Sequence, residues 1–371
     1  MGVSFLDHIG DIEDPRVPGM AVYRLDEILL TVLVGLLCRA EDFDEIEDVG
    51  VELLDWLRRI LPFEPGIAPA QTLKRTLARL DPRQLETAFA AWVKSLAGRI
   101  RGVIAIDGKT VRGSRRDADG TGALHLVQAW AHEAGLVLAS RAVETKSNEM
   151  SEANAIPELL DMLALEGAIV TIDAMGTQKQ IAAKIVSRKA DYVFALKGNQ
   201  ATLEEDVALF FDDPVLAADC SCHAEEPEIG HGRIEERTIR AAGAAWLAER
   251  HPDWKGLASI LAVTVRRTIK KTGAVSIETR LFISSLPPDP VRLAAAARAH
   301  WSVENNLHWI LDVTFREDAC RIRKDHSARN LATIRRAVLN MLRREPSNIS
   351  FKRKRLKALM SPACREALLA A

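Results

Sequence analysis

Residues 103–108 read Val-Ile-Ala-Ile-Asp-Gly, and residues 168–174 read Ala-Ile-Val-Thr-Ile-Asp-Ala. Each is a short, largely apolar run closed by an aspartate and a small residue. Such runs form strands buried on both faces of a sheet. The carboxyl ends of these strands are where an open α/β sheet carries its functional groups. Between the two runs, 124–132 (LHLVQAWAH) and 136–144 (LVLASRAVE) flank Glu133-Ala134-Gly135 at hairpin spacing. An amphipathic helix is expected over about 152–166, a second over 178–189, and a further strand over 192–196.

Three strands, helix, strand, helix, strand is the element order of a ribonuclease H-like fold, in the α/β class. In that order the first and fourth strands are neighbours, so Asp107 and Asp173 would stand side by side. Upstream the chain reads as helices over 25–39, 51–60, 72–80 and 82–96, with a proline-rich loop over 61–70. Downstream, a helix at 202–211 precedes alternating stretches at 234–239, 258–268 and 277–283, read as an antiparallel, β-rich insertion. From Val291 the pattern is helical again, through Glu304 to about residue 344. The expected organisation is an N-terminal helical region (1–98), the first part of the core (99–200), the insertion (201–290), a C-terminal helical part of the core (291–345) and a basic tail (346–371).

The 371 residues are 48% apolar and 27% charged, enough for a substantial core. Five scattered cysteines without a CxxC pair argue against a disulfide framework or a thiolate zinc site. The longest apolar run, 28–38, is far short of a membrane span. The acidic start lacks the layout of a signal peptide. A cytoplasmic, nucleoid-associated protein is expected, with no membrane partner. The net charge of −1 hides a division: residues 1–70 carry 15 acids and 5 bases, and residues 316–357 carry 14 bases and 4 acids. A basic block of this kind is the footprint of phosphate contacts, or equally a solvated helix face.

Two ionised carboxylates at close range repel and persist together when a cation neutralises them. Oxygen-only ligands suit Mg²⁺ or Mn²⁺. Singly, Asp107 also fits a turn residue and Asp173 a helix cap. The segment 298–319, RAHWSVENNLHWILDVTFREDA, adds a third acid. At 3.6 residues per turn His300, Glu304, His308 and Leu311 share a face. An acid balancing the helix dipole, or a transition-metal site of His300, Glu304, His308 and Asp312, are the rival readings.

IAIDGKTVRGS (104–114), TIDAMGTQKQIAAKIVSRKADYVFALKGNQ (171–200) and HWSVENNLHWILDVTFREDACRIRKDHSARNLATIRR (300–336) closely resemble the three catalytic blocks of insertion-sequence DDE transposases. The nearest branch is that of the H-repeat-associated proteins, whose helical leading region residues 5–95 also resemble. The resemblance implies a ribonuclease H-like core with a β-rich insertion ahead of the glutamate. It also implies that Asp107, Asp173 and Glu304 form a metal-binding catalytic triad holding two Mg²⁺ ions, with Mn²⁺ as substitute. Many related transposases carry arginine four residues before the last acid and lysine seven after; here His300 and Leu311 stand there. Arg298, His300, Arg321, Arg329 and Arg336 are therefore the candidates to hold DNA. Lys109, Arg112, Lys197 and Asn199 are placed similarly by the family pattern, and Lys74 and Arg75 could contact element ends. The implied partners are double-stranded DNA and, because two ends are joined, a second copy of the chain. The alternative is a transposase-derived DNA-binding protein that no longer cuts.

Overall fold

A computed structural model of the chain describes residues 5–98, 100–115, 122–143 and 150–370, with side chains of 150–154 left aside. The helices α1 (Phe5–Ile9), α2 (Leu25–Leu37), α3 (Phe43–Glu52), α4 (Leu54–Leu57), α5 (Ala70–Arg79) and α6 (Pro82–Ala97) come first. The helix expected over 51–60 is not one element. Helix α3 already contains Val51 and ends at Glu52, and only a single turn follows Leu53. Helix α6 starts where its sequence dictates: the Asp81 carboxylate accepts from the Arg83 N–H, and Pro82 fills the first turn where no donor is needed.

Five strands follow: β1 (Gly102–Val111), β2 (Leu124–Ala131), β3 (Leu136–Ala142), β4 (Ala168–Ile172) and β5 (Asp191–Leu196). Helix α7 (Met150–Asp161) precedes β4, and α8 (Lys179–Ser187) precedes β5. The order expected from sequence, three strands, helix, strand, helix, strand, is the order observed, although Glu144 lies outside the described residues. In space the strands run β3-β2-β1-β4-β5. β1 pairs in parallel with β4, with Ile106 opposite Ile172. It does not stop at Asp107-Gly108 as expected: it continues to Val111 along β2, with Asp107 opposite Gln128. Asp107 thus sits just past the point where β1 parts from β4.

After α9 (Ala201–Asp212) come β6 (Ser221–Ala224), β7 (Glu228–Gly230), β8 (Arg233–Gly243), α10 (Ala245–Arg250), β9 (Ser259–Ile269) and β10 (Val275–Ser284). β10 pairs antiparallel with β5, so these strands extend the first five into a single ten-stranded sheet. Short β6 and β7 escaped the sequence reading because both are exposed and carry little apolar signal.

The C-terminal helices are α11 (Pro290–His300), α12 (Trp309–Thr314), α13 (Ser327–Arg344), α14 (Phe351–Met360) and α15 (Pro362–Leu369). The continuous helical pattern expected from 291 to 344 is interrupted. Glu304–His308 forms a wide π turn, and the chain leaves helix after Thr314, with Arg316 left-handed at φ 50°. This loop packs onto the short turn after β1: Arg323 Nε donates to the Gly113 carbonyl at 2.6 Å. A Cβ at Gly113 would lie 2.3 Å from the Cys320 carbonyl oxygen and 2.6 Å from that of Asp318. Backbone atoms cannot rotate aside, so Gly113→Ala is expected to cost about 1–3 kcal/mol. Denaturant unfolding checks this, and an unchanged midpoint would contradict the close packing.

Helix α13 joins the leading helices to the sheet. It packs on α2, α5 and α6 on one side and on β3 on the other. Asn330 Nδ2 donates to the Leu77 and Leu80 carbonyls, and Asn340 exchanges two hydrogen bonds with the Val137 backbone on the edge strand β3. The leading helices and the first five strands consequently share one apolar core, from Phe5 and Leu33 through Trp92 to Trp130 and Leu339.

Candidate active site

Three elements carry the acids singled out from the sequence: β1 with Asp107, the loop after β4 with Asp173, and the π turn with Glu304. Asp107 and Asp173 each use one oxygen locally. Asp107 Oδ1 accepts from the Gly108 N–H at 2.9 Å, and Asp173 Oδ1 from the Gly176 N–H at 3.2 Å. Neither alternative role that the sequence allowed is the one observed: Asp107 lies within β1 rather than in a turn, and the residue capping α8 is Gln178, not Asp173. Asp173 follows Ile172, whose partner Ile106 precedes Asp107, so each acid stands one residue past the last paired position of the two parallel strands.

Asp107, Glu304 and His308 form a group whose ligand-type atoms all lie within 4.8 Å of one another; Asp173 is outside this tightest group. The π turn contributes to this meeting. Its extra residue per turn widens the helix where Glu304 leaves it, as such bulges do at functional sites. Glu304 remains 58% exposed, whereas His308 beside it is buried. His308 Nδ1 is 3.4 Å from Glu304 Oε2 and 3.7 Å from Asp107 Oδ2. Burial, with the Lys109 and Arg336 charges nearby, pushes its imidazole down to about 3. His300 turns to β4 instead, its Nδ1 3.1 Å from Thr171 Oγ1, and burial pushes it down to about 4.

The rival set of His300, Glu304, His308 and Asp312 is not brought together. His300 is engaged with Thr171, and Asp312 binds Lys109 Nζ at 2.7 Å. A carboxylate-rich group with one imidazole suits a divalent cation that accepts oxygen ligands.

The expected DNA-gripping residues divide by burial. Arg336 is fully buried: it donates to Gln128 Oε1 at 2.6 Å and to Glu317 Oε1 at 2.9 Å. Arg329 binds Glu86 at 2.5 Å, and Lys109 is buried against Asp312. These three serve the interior, which corrects the expectation that they grip DNA. Long basic side chains were read as surface groups, but each faces a carboxylate inside the fold. Arg298 pairs with Glu225 and Glu228 on the added strands. Lys74, Arg75, Arg112, Lys197, Asn199 and Arg321 are exposed. Arg112 lies 3.5 Å from Asp318, and Asn199 Nδ2 donates to the Ala174 carbonyl beside Asp173. Lys197 borders a cleft of about 460 Å³ that runs from Asp173 past His300 to Trp301, over which the Arg280 guanidinium sits at 4.4 Å.

The basic block at 316–357 is likewise partly structural. Arg355 donates to the Leu36 carbonyl at the end of α2, and Lys354 to the Leu342 carbonyl. Sequence reasoning missed Gln128 and Glu317. The available signal was a lone glutamine inside the apolar run Leu126-Val127-Gln128-Ala129-Trp130, since a buried amide needs partners.

Residues 98–341 match the family model described as the transposase DDE domain, and residues 6–93 match the model of its associated region. The chain is 38% identical to "Putative transposase YncI" of Escherichia coli O157:H7, over 99% of this chain and 94% of that protein. It is 35% identical to "H repeat-associated putative transposase YhhI" of Escherichia coli K12, over 96% and 95%. A cryo-EM structure of the piggyBac transposase synaptic complex with hairpin DNA aligns over 95% of this chain and 75% of that one, at a TM-score of 0.45 and 12% identity. Among the described residues no helix is long and apolar enough to cross a membrane. The chain belongs to the DDE transposase family, in the branch that contains the H repeat-associated proteins.

Proposed function

We propose that this chain cuts and joins DNA, with Asp107, Asp173 and Glu304 as the acids of a ribonuclease H-like core. The observation that carries this reading is the meeting of Asp107 and Glu304 from elements almost two hundred residues apart. Asp173 directly follows β4, the strand that pairs in parallel with β1. In this reading residues 1–98 form the helical leading region, 99–200 and 291–345 the core, 201–290 the insertion that lengthens its sheet, and 346–371 the basic tail.

The three carboxylates would hold two Mg²⁺ ions, or Mn²⁺ in their place. When bound, such ions activate the attacking oxygen and stabilise the leaving one. Water cuts first and exposes a 3′-hydroxyl at the element end; that hydroxyl then attacks a target phosphate. The protein forms no covalent bond to DNA, in keeping with Tyr192 being buried within the sheet. The exposed Arg112, Lys197, Asn199 and Arg321 would hold the phosphate backbone. Lys74 and Arg75 on α5 would meet the element ends, and two copies of the chain would join two ends.

The test is a cleavage and strand-transfer assay on the DNA flanking the gene, with Mg²⁺ or Mn²⁺. Metal-dependent nicks at the element ends and joined products are expected. Sequence-specific binding without any cleavage would favour a silent, transposase-derived DNA-binding protein.

A further inference from the structure

Hydrogen-bond polarity at the buried end of the site fixes the state of His308. An arginine only donates, so the group of Gln128 that meets Arg336 Nε at 2.6 Å is its amide oxygen. The Gln128 NH₂ then faces His308 Nε2, at 3.4 Å. An NH₂ has only protons to offer, so Nε2 presents its lone pair and the ring proton lies on Nδ1. Reversing the amide would set NH₂ against guanidinium, donor to donor. Arg336 cannot turn away, because Glu317 and the Ala332 carbonyl hold its Nη1 at 2.9 and 2.7 Å. Gln128, Glu317 and Arg336 are all 0% exposed, so no solvent relieves a mismatch.

Nδ1 is also the ring atom that faces Glu304 and Asp107. We propose that His308 is a positioning residue: the buried chain Glu317–Arg336–Gln128 sets it as the Nδ1–H tautomer, and that N–H holds the Glu304 carboxylate toward Asp107 rather than ligating an ion. This rests on the reading of Asp107 and Glu304 as metal-holding acids. Glu304 leaves a widened turn at the rim of the site, where a carboxylate otherwise sweeps freely. A donor on one oxygen orders it and leaves the other oxygen for the cation. A protonated Nδ1 has no lone pair to coordinate with.

The full chain, metal-free and labelled with ¹⁵N in its nine histidines, tests this through ring nitrogen–proton correlation spectra. The His308 signals are identified by their loss in His308→Asn. A protonated Nδ1 and a bare Nε2 are expected. Gln128→Glu, whose carboxylate accepts from both Arg336 and the ring, is expected to move the proton to Nε2. A native protein with the proton on Nε2 overturns the proposal. Mn²⁺ affinity, read from the electron paramagnetic resonance of the free ion, supplies the second arm. His308→Ala is expected to weaken binding about tenfold or more, the usual loss for a partner of a metal ligand. His308→Asn places an amide N–H where Nδ1 was and is expected to recover most of that affinity. Equal losses in the two variants overturn the positioning role. Full Mn²⁺ affinity in Asp107→Asn would instead sink the metal reading itself, and the tautomer spectrum keeps the two failures apart.

Discussion

Asp107→Asn or Glu304→Gln is expected to abolish DNA strand cleavage while leaving DNA binding within a few-fold of the native protein. Each exchange preserves shape and removes one negative charge. In the first variant the side-chain amide oxygen can still accept from the Gly108 N–H that the Asp107 carboxylate engages, so the local geometry of β1 survives. What is lost is a ligand charge at a site where a bound cation supplies several kcal/mol of transition-state stabilisation, and each 1.36 kcal/mol is tenfold in rate. The loss should therefore exceed roughly 10³-fold. Gel-shift and cleavage assays on one labelled DNA separate the two properties. Mg²⁺-dependent cleavage at near-native rate by either variant would remove that residue from the triad.

The second large effect is on stability. Glu317 and Arg336 are both fully buried and paired at 2.9 Å. Burial by itself raises the Glu317 carboxyl, but the guanidiniums of Arg336 and Arg335 outweigh it and hold the group below the usual range. Glu317→Ala strands the Arg336 charge in the core, at an expected cost of about 3–5 kcal/mol. Replacing both partners by apolar residues, as in Glu317→Leu with Arg336→Met, should recover much of this, because no charge is then left without a partner. Denaturant midpoints of the two variants decide the matter: equal losses would mean that packing, not charge pairing, sets the cost. The sign of the pH dependence follows from the lowered carboxyl. The pair stabilises fully above the ordinary glutamate range, and its contribution drains away as pH falls through the folded-state value.

The strands that carry Asp107 and Asp173 were legible because apolar runs closed by a polar residue leave a strong pattern, and β4 lies where the pattern set it. Legibility failed where the decisive contact was remote. Arg329 and Arg336 look like surface bases until Glu86 and Glu317 are seen opposite them, and nothing near either arginine in the sequence announces those partners. The break after Thr314 was hidden for the same reason: the loop is shaped by Gly113, some two hundred residues earlier. Glu304 was found through the resemblance, but its widened turn was not, since an extra residue per turn leaves the amphipathic pattern almost unchanged. His308 entered the reading as one member of a rival metal set with His300, Glu304 and Asp312; the structure sets the two histidines against different strands, His300 against β4 and His308 against β2.

The bonds from Arg355 to the Leu36 carbonyl, with those from Trp56 Nε1 and Arg59 to Glu366, couple the earliest helices to the last twenty residues. On the ribosome, this has a consequence for timing. The carbonyl end of α2 waits without its guanidinium until more than three hundred further residues have been made, so this contact closes only after Arg355 has emerged. Contacts of such sequence separation fold slowly. A product truncated ahead of α14 would therefore leave its first helices open as well, and be a substrate for proteases.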